Sequence, residues 1–247
     1  MFAIFRKEIS GFFSSLTGYI VIIVFLLINS LFMWVLPGEL NILDSGYAGL
    51  EPLFFLSPWI FLFLVPAVTM RMISEEKRLG TIELIFSRPV TERGIIYGKY
   101  LASVTLVLLA LMPGIIYFIS VYFLGQTPGN LDKGGTMGAF TGLFFLAGIY
   151  ASAGLFASSL TDNQVVAFII AVLISFFLFM GFDSFAYLPG LKMIDEFVIR
   201  LGIIEHYKSM SRGVLDIRDI IYFIAVIVVF NEATKLVLIS RKWGKKI

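Results

Sequence analysis

The sequence contains no cysteine and a single histidine, His206, among its 247 residues. The lack of cysteine excludes disulfides, thiolate metal sites and cysteine nucleophiles. One imidazole also excludes a multi-histidine metal centre, and His206 alone supports no catalytic role. We therefore predict no catalytic and no metal-binding residue in this chain.

Charged residues are scarce as well. Asp, Glu, Lys and Arg make up 15% of the sequence and hydrophobic residues 59%, whereas soluble domains average about 25% and about 45–50%. The net charge of +2 is too small to indicate a nucleic-acid partner. The composition predicts an integral membrane protein forming one domain over residues 1–247.

Long apolar runs recur along the chain. A helix that crosses a bilayer needs roughly 20 predominantly apolar residues. Six segments meet this requirement, at about residues 19–36, 53–70, 100–124, 138–160, 165–182 and 220–240. We predict an all-α integral membrane protein with six transmembrane helices.

The distribution of basic residues predicts the orientation. Most of the 19 Lys and Arg residues fall at the N-terminus, within residues 71–99 and at the C-terminal end, whereas the connection between the first two spans carries only acids. Because cytoplasmic connections are enriched in Lys and Arg, we expect both termini and segment 71–99 to be cytoplasmic. Residues 183–219 would then form an extracellular cap loop, in which residues 192–204 also show helical spacing.

The first 16 residues form an amphipathic pattern. Apolar side chains recur at helical spacing, with two cations between them, which predicts a helix lying in the membrane interface with its apolar face in lipid. The alternative is an early start of the first span, which the charges disfavour. The residues concerned are Phe2, Phe5, Arg6, Lys7, Ile9 and Phe12.

A short charged segment, RMISEEKRLGTIELIFSRP at residues 71–89, lies between the second and third predicted spans. Its pattern predicts a helix that begins at an N-cap, Ser74, with acids in the first turn, and ends at Pro89. A solvated loop would explain the basic residues, but a helix that docks a cytoplasmic partner also explains the acids and the apolar stripe. That stripe consists of Leu79, Ile82, Ile85 and Phe86.

This segment resembles the signature of ABC-2-type transporter permeases. In that family the corresponding segment is the coupling helix, which inserts into the ATP-binding subunit. Residues 41–71 are also similar to the gliding-motility-associated ABC permease subunit, and the broader resemblance covers essentially the whole chain. The pattern comprises Arg71, Ser74-Glu75-Glu76, Gly80-Thr81-Ile82-Glu83-Leu84, Pro89 and Gly98-Lys99-Tyr100-Leu101.

The resemblance implies a set of partners and an interface. The partners would be a cytoplasmic ABC ATPase subunit, a second permease copy or a homologous permease or accessory subunit, and the lipids of a bacterial inner membrane. Export would be the usual direction of transport. The implied coupling interface consists of Ser74, Glu75, Glu76, Arg78, Leu79, Gly80, Thr81, Ile82, Glu83, Ile85, Phe86 and Pro89.

No phosphate-binding loop is present in the sequence. The closest approach, residues 94–100, has three residues between its glycines instead of four and a tyrosine where the magnesium-binding Ser or Thr is required. We interpret Gly98 and Lys99 as the start of the third span, with the lysine extending to the interface. We expect no cofactor in this chain, and ATP and magnesium would be bound by the partner ATPase.

Two further polar groups are candidates. Asp162, Asn163 and Gln164 form a turn between the fourth and fifth spans, which is either a second cytoplasmic contact or an ordinary polar turn. Polar groups within spans are functional candidates because they are costly in lipid; they are Asn29, Asn231, Glu232 and Lys235.

The intramembrane polar groups also have purely structural interpretations. Glu232 and Lys235 lie three residues apart and can pair on one helical face, so they form either a structural ion pair or part of an inner vestibule. The pair Asn29 and Ser30 in the first span is predicted to make an interhelical hydrogen bond.

The resemblance therefore implies a membrane permease subunit of an ABC transporter, of export type and associated with gliding motility. One alternative is a mechanical or scaffolding component of a gliding or secretion machine that moves no solute. Another is an ion-driven secondary transporter, which would require midplane acids and internal repeats; only Glu232 points in that direction.

Overall fold

The computed structural model describes residues 1–87, 90–126, 130–186 and 199–244, and every regular element in these ranges is helical. Two π-helical turns, Leu31–Val35 and Phe177–Gly181, continue the helices that end at Ser30 and Phe176. The helices are α1 Phe2–Phe13, α2 Leu16–Ser30, α3 Ile42–Ser45, α4 Glu51–Arg78, α5 Ile82–Phe86, α6 Glu92–Leu111, α7 Gly114–Leu124, α8 Lys133–Leu160, α9 Gln164–Phe176, α10 Phe182–Ala186, α11 Ile203–Ser211 and α12 Ile217–Gly244.

The prediction of six helical spans is confirmed by length and composition within the described ranges. Proline donates no backbone hydrogen bond, yet Pro58 and Pro66 are accommodated inside α4. Pro113 instead stands between the end of α6 at Leu111 and the start of α7 at Gly114. The spans are Gly18–Val35, Glu51–Arg78, Glu92–Leu124, Lys133–Leu160, Gln164–Ser184 and Ile217–Ser240.

Helices α4 and α8 form the centre of the bundle. In their apolar windows 67% and 78% of the residues are buried, compared with 22% in the α9 span and 17% in the α12 span. Gly154 allows this close packing, because a Cβ atom there would lie 2.9 Å from Cβ of Thr69 on α4. Farther along, the Ser158 hydroxyl accepts from Ile73 N and Ser74 N, at 3.1 and 3.0 Å, and donates to Met70 O.

Helix α1 docks on the protein through its apolar face. Phe12 is buried beside Val68 and Ile96, and Phe5 and Ile9 pack against the same cluster. The prediction that this face lies in lipid is therefore wrong for Phe12, whereas Phe5 and Ile9 are partly buried and Phe2 is exposed, so that contact of these three with lipid stays a prediction. The physical reason is Gly98 on α6, where the missing side chain leaves room for the α1 backbone: a Cβ there would lie 3.0 Å from Met1 O.

Both described chain ends lie at the same end of the bundle, which we call the α1 end. Leu238 of α12 shares a buried cluster with Phe12, and side chains of α5 pack against that cluster. The turn after α8 is there too, since Lys77 near the end of α4 donates to Ser159 O. This arrangement agrees with an even number of spans, while the side of the membrane stays a prediction.

Helix α11 covers the opposite end of the bundle. The Tyr207 hydroxyl donates to Phe54 O of α4 at 2.8 Å, and burial raises the pKa of this phenol. The His206 ring pairs with Asp219 of α12 at 2.7 Å. Of the predicted cap loop, residues 187–198 lie outside the described residues, and with them most of the predicted helical segment 192–204.

Candidate functional site at the α1 end of the bundle

The predicted coupling helix is not a single helix. Helix α4 continues through Ser74 and ends at Arg78. Gly80 then adopts a left-handed conformation (φ 69°), and a separate helix, α5, follows it. Ser74 is therefore not an N-cap: it is buried inside α4 and donates to Met70 O. Pro89, the predicted end, lies outside the described residues.

A sequence signal for this break was present. Lys77 and Arg78 stand in the last turn of α4, and glycine follows two residues later, which is a typical pattern for a helix C-terminus. Glycine adopts a positive φ at little cost, so Gly80 redirects the chain into α5.

Burial divides the predicted coupling interface into an inner and an outer part. Ser74 and Glu76 are buried, and Ile82 and Phe86 pack against the core cluster. Burial of Ser74 and Glu76 makes them unsuited to direct contact with a partner, whereas Ile82 and Phe86 are only partly buried, and their contact with a partner stays a prediction. The outer part consists of exposed Arg78, Leu79, Gly80 and Glu83, with half-buried Glu75, Thr81 and Ile85, and the exposed neighbour Leu84 adjoins it.

Two leucines stand out on the outer part. Leu79 is 62% exposed and Leu84 is 67% exposed. Leu84 is missing from the predicted interface, because helical periodicity assigned the apolar face to Ile82, Ile85 and Phe86. We refer to residues 78–84 as the α4–α5 turn.

A buried ionic cluster lies directly behind the α4–α5 turn. Lys99 Nζ, only 1% exposed, lies 2.7 Å from Glu8 Oε1 of α1, 2.8 Å from Glu76 Oε1 of α4 and 2.7 Å from Met72 O. An ammonium group has three N–H donors, so each has an acceptor here. The prediction that Lys99 extends to the membrane interface is therefore wrong.

Lys7 completes this cluster from the surface. Its Nζ lies 2.8 Å from Glu76 Oε1, and its side chain is 61% exposed. Burial acts to lower the Lys7 pKa, but hydrogen bonding to Glu76 and the charges of Glu76 and Glu8 outweigh it and raise that pKa above the ordinary 10.5. Because the Lys7 pKa is higher in the folded protein than in the unfolded chain, its ion pair stabilises the folded protein fully at pH values below the unfolded-chain pKa. This stabilisation is lost only as the pH rises through the folded-state pKa. The contact is thus intact at neutral pH.

Helix α12 carries a second ionic group at the same end. Glu232 Oε2 lies 3.2 Å from Lys235 Nζ, as the spacing predicted, and its Oε1 lies 3.0 Å from Arg93 Nε in the first turn of α6. Arg93 was not predicted as a partner, because only the fold brings the two helices together. The geometry favours the structural ion pair, and a vestibule role stays a prediction.

The interhelical hydrogen bond predicted for the Asn29–Ser30 pair is made by Ser30 and not by Asn29. Asn29 Nδ2 donates to Phe25 O within α2, and its Oδ1 has no hydrogen-bond partner among the described residues. The interhelical bond comes instead from its neighbour: Ser30 Oγ lies 2.6 Å from the Tyr117 hydroxyl of α7. Asn231 behaves like Asn29, donating to Ile227 O within α12.

The turn at residues 161–164 has ordinary capping geometry. Asn163 Oδ1 accepts from Val165 N at 2.9 Å and caps α9. Asp162 and Asn163 are exposed at the α1 end and Gln164 is half-buried. This geometry is sufficient for a plain polar turn, and the second partner contact stays a prediction.

Comparison with known protein families identifies one family that matches almost the whole chain. The profile of the ABC-2 family transporter protein matches residues 2–243. No curated protein matches the chain at a significant level. The profile covers all six spans and both groups of charged residues at the α1 end. The chain therefore belongs to the ABC-2 family of transporter proteins.

Proposed function

We propose that this chain is the permease subunit of an ABC transporter and that the cytoplasmic ATPase subunit docks on the α4–α5 turn. Family membership supports the class of protein. The observation that carries the docking site is the pair Leu79 and Leu84, which stand exposed at the end of a central helix and beside charged Arg78 and Glu83. A water-facing site of this kind, apolar at its centre and charged at its rim, is typical of protein interfaces.

Helix α4 is suited to transmit a displacement. Its 28 residues from Glu51 to Arg78 correspond to about 42 Å at roughly 1.5 Å per residue. A shift of the α4–α5 turn would reach the opposite end of the bundle as a rigid-body or shear motion. Helix α8 would follow, because Ser158 joins it to α4 and Gly154 packs on Thr69.

The remaining assignments belong to the same proposal. The α1 end would be cytoplasmic in a bacterial inner membrane, and the ATPase would bind ATP and magnesium. A second permease copy or a homologous subunit would complete the pathway, which we propose to be of export type and associated with gliding motility, on the resemblance of residues 41–71. The ion-driven alternative loses support, because Glu232 is paired with Arg93 and Lys235 at the α1 end.

The docking proposal is tested by replacing Leu84 with aspartate in the co-expressed complex. Because Leu84 is largely exposed, we expect unchanged yield and melting temperature of the permease. We expect about tenfold less ATPase to be recovered on affinity purification, equivalent to ~1.4 kcal/mol of binding free energy.

The matched control is Leu43→Asp, at a position in α3 that is 62% exposed at the opposite end. It should retain the ATPase in full. Recovery of the ATPase at wild-type levels with Leu84→Asp would contradict docking at the α4–α5 turn. Solute movement in liposomes containing the purified complex then separates a transporter from a scaffold that moves no solute.

A further inference from the structure

We infer that Lys99 is a positioning residue for coupling: it clamps α1 to α4 and α6, so that α1 and the α4–α5 turn move as one body. The coupling part of this inference rests on the proposed function, whereas the clamp itself is a property of this chain alone. Helix α1 would then take part in coupling together with the α4–α5 turn and would not serve only as a membrane anchor.

The clamp joins three elements at one nitrogen atom. Lys99 belongs to α6, and its acceptors come from α1 through Glu8 and from α4 through Glu76 and Met72. Glu76 lies two residues before Arg78, where the exposed docking surface begins. A force applied to that surface therefore acts on a side chain that is held, through Lys99, to α1.

Burial makes this clamp costly to open. With Lys99 only 1% exposed, water cannot replace its acceptors, and a buried charge that loses its partner is strongly unfavourable. Without Lys99, the Glu8 and Glu76 carboxylates that now share one ammonium group would repel each other. Lys7 compensates weakly, because it is mostly exposed and exposed ion pairs contribute little.

Apolar and cation–π contacts hold the same face of this helix one turn further on. Phe12 is buried beside Ile96, and the Arg71 guanidinium lies 4.1 Å from the centre of the Phe12 ring. These contacts hold α1 to the bundle near its C-terminal end, whereas the Lys99 clamp lies one helical turn earlier, behind the α4–α5 turn. Loss of the clamp alone should therefore loosen α1 at the coupling site without unfolding the bundle.

The test must distinguish an ionic cluster that only supports folding from one that positions α1 for coupling. Because the sequence contains no cysteine, an engineered disulfide can make this distinction. A Cβ atom on Gly98 would lie 3.1 Å from Cβ of Ile4 and 3.0 Å from Met1 O, a few tenths of an ångström closer than the Cβ separation of about 3.5–4.5 Å in disulfides, so α1 must shift slightly outward to admit the bridge. The pair Ile4→Cys and Gly98→Cys can thus replace the α1–α6 link of the ionic clamp by a covalent link that reductant reverses, and the reduced pair is the reference for the effect of the shift itself.

The experiment uses the complex with its ATPase in lipid nanodiscs and compares ATP hydrolysis by the complex with that of the ATPase alone. With Lys99→Met we expect ATPase binding within about twofold of wild type and a roughly tenfold smaller stimulation of hydrolysis, a factor equivalent to ~1.4 kcal/mol. The oxidised cysteine pair should restore the stimulation in the Lys99→Met background, and reductant should abolish it again. Arg6→Gln is the matched control, because Arg6 is exposed on α1 with no ionic contact among the described residues, and it should behave as wild type.

Three results would overturn the inference. They are normal stimulation with Lys99→Met, failure of the disulfide to rescue it, or inhibition when the disulfide is placed in the otherwise unchanged chain. If no ATPase binds the wild-type chain, the proposed function fails, but the rate of disulfide formation still tests the clamp. That rate should fall several-fold with Lys99→Met, and an equal rate in both backgrounds would refute the clamp.

Discussion

Replacing Gly154 with leucine is expected to prevent assembly of the bundle and to give less than about a tenth of the wild-type yield of monodisperse protein. A side chain at this position would enter the van der Waals space of the Thr69 hydroxyl, with its Cβ 2.9 Å from Thr69 Cβ. Thr69 has no room to move, since it is buried and donates to Val65 O at 3.0 Å. Extra methylene groups in a packed core cost about 1–3 kcal/mol, and here α4 and α8 would have to separate.

The measurement is size-exclusion chromatography of the detergent-solubilised protein with a thermal melt. Gly11→Leu on α1 is the matched control, because no atom lies within 4 Å of a Cβ there, and it should be recovered as wild type. Gly154→Ala should be partly rescued by Thr69→Gly, which removes the opposing side chain. A wild-type yield of Gly154→Leu would mean that α4 and α8 do not form the close pair at the centre of the protein.

Replacing His206 with alanine should detach α11 from α12 and lower the melting temperature by several degrees. The ring stacks on Tyr222 at a centroid distance of 3.9 Å, pairs with Asp219 at 2.7 Å and reaches Arg200 O at 2.8 Å. Asp219 is buried, and its Oδ2 already lacks a partner among the described residues. Loss of the ring would leave a buried carboxylate unpaired, at a cost of about 3 kcal/mol.

Hydrogen exchange across residues 203–211 measures this effect locally. Exchange should accelerate in α11 of His206→Ala, while Lys208→Ala, an exposed position on the same helix, should exchange as wild type. Equal protection in the two variants would show that the His206 contacts do not hold the cap in place.

The spans could be predicted from the sequence because lipid imposes a length and a composition on them. What covers an apolar helical face could not be predicted. The spacing of Phe5, Ile9 and Phe12 is the same whether lipid or protein covers them, and only the fold places Gly98 opposite α1.

The position of the charged segment between the second and third spans was predictable, but not its outer surface. Periodicity groups residues by helical face, so it joined Ile82 and Phe86 to Leu79 and passed over Leu84, although a left-handed Gly80 separates two helices there. The ionic clamp could not be predicted either, because Glu8 and Lys99 are 91 positions apart. Charges so distant in sequence are matched only by the packing of α1 on α6.

Binding of an ATPase subunit to the α4–α5 turn can be measured by proximity cross-linking. The wild-type chain contains no cysteine, so Leu84→Cys offers one thiol for a short thiol-to-amine cross-linker in the co-expressed complex. We expect an adduct of this chain with the ATPase from Leu84→Cys and none from Leu43→Cys. An intact complex that yields its adduct from Leu43→Cys, and none from Leu84→Cys, would contradict binding at this turn.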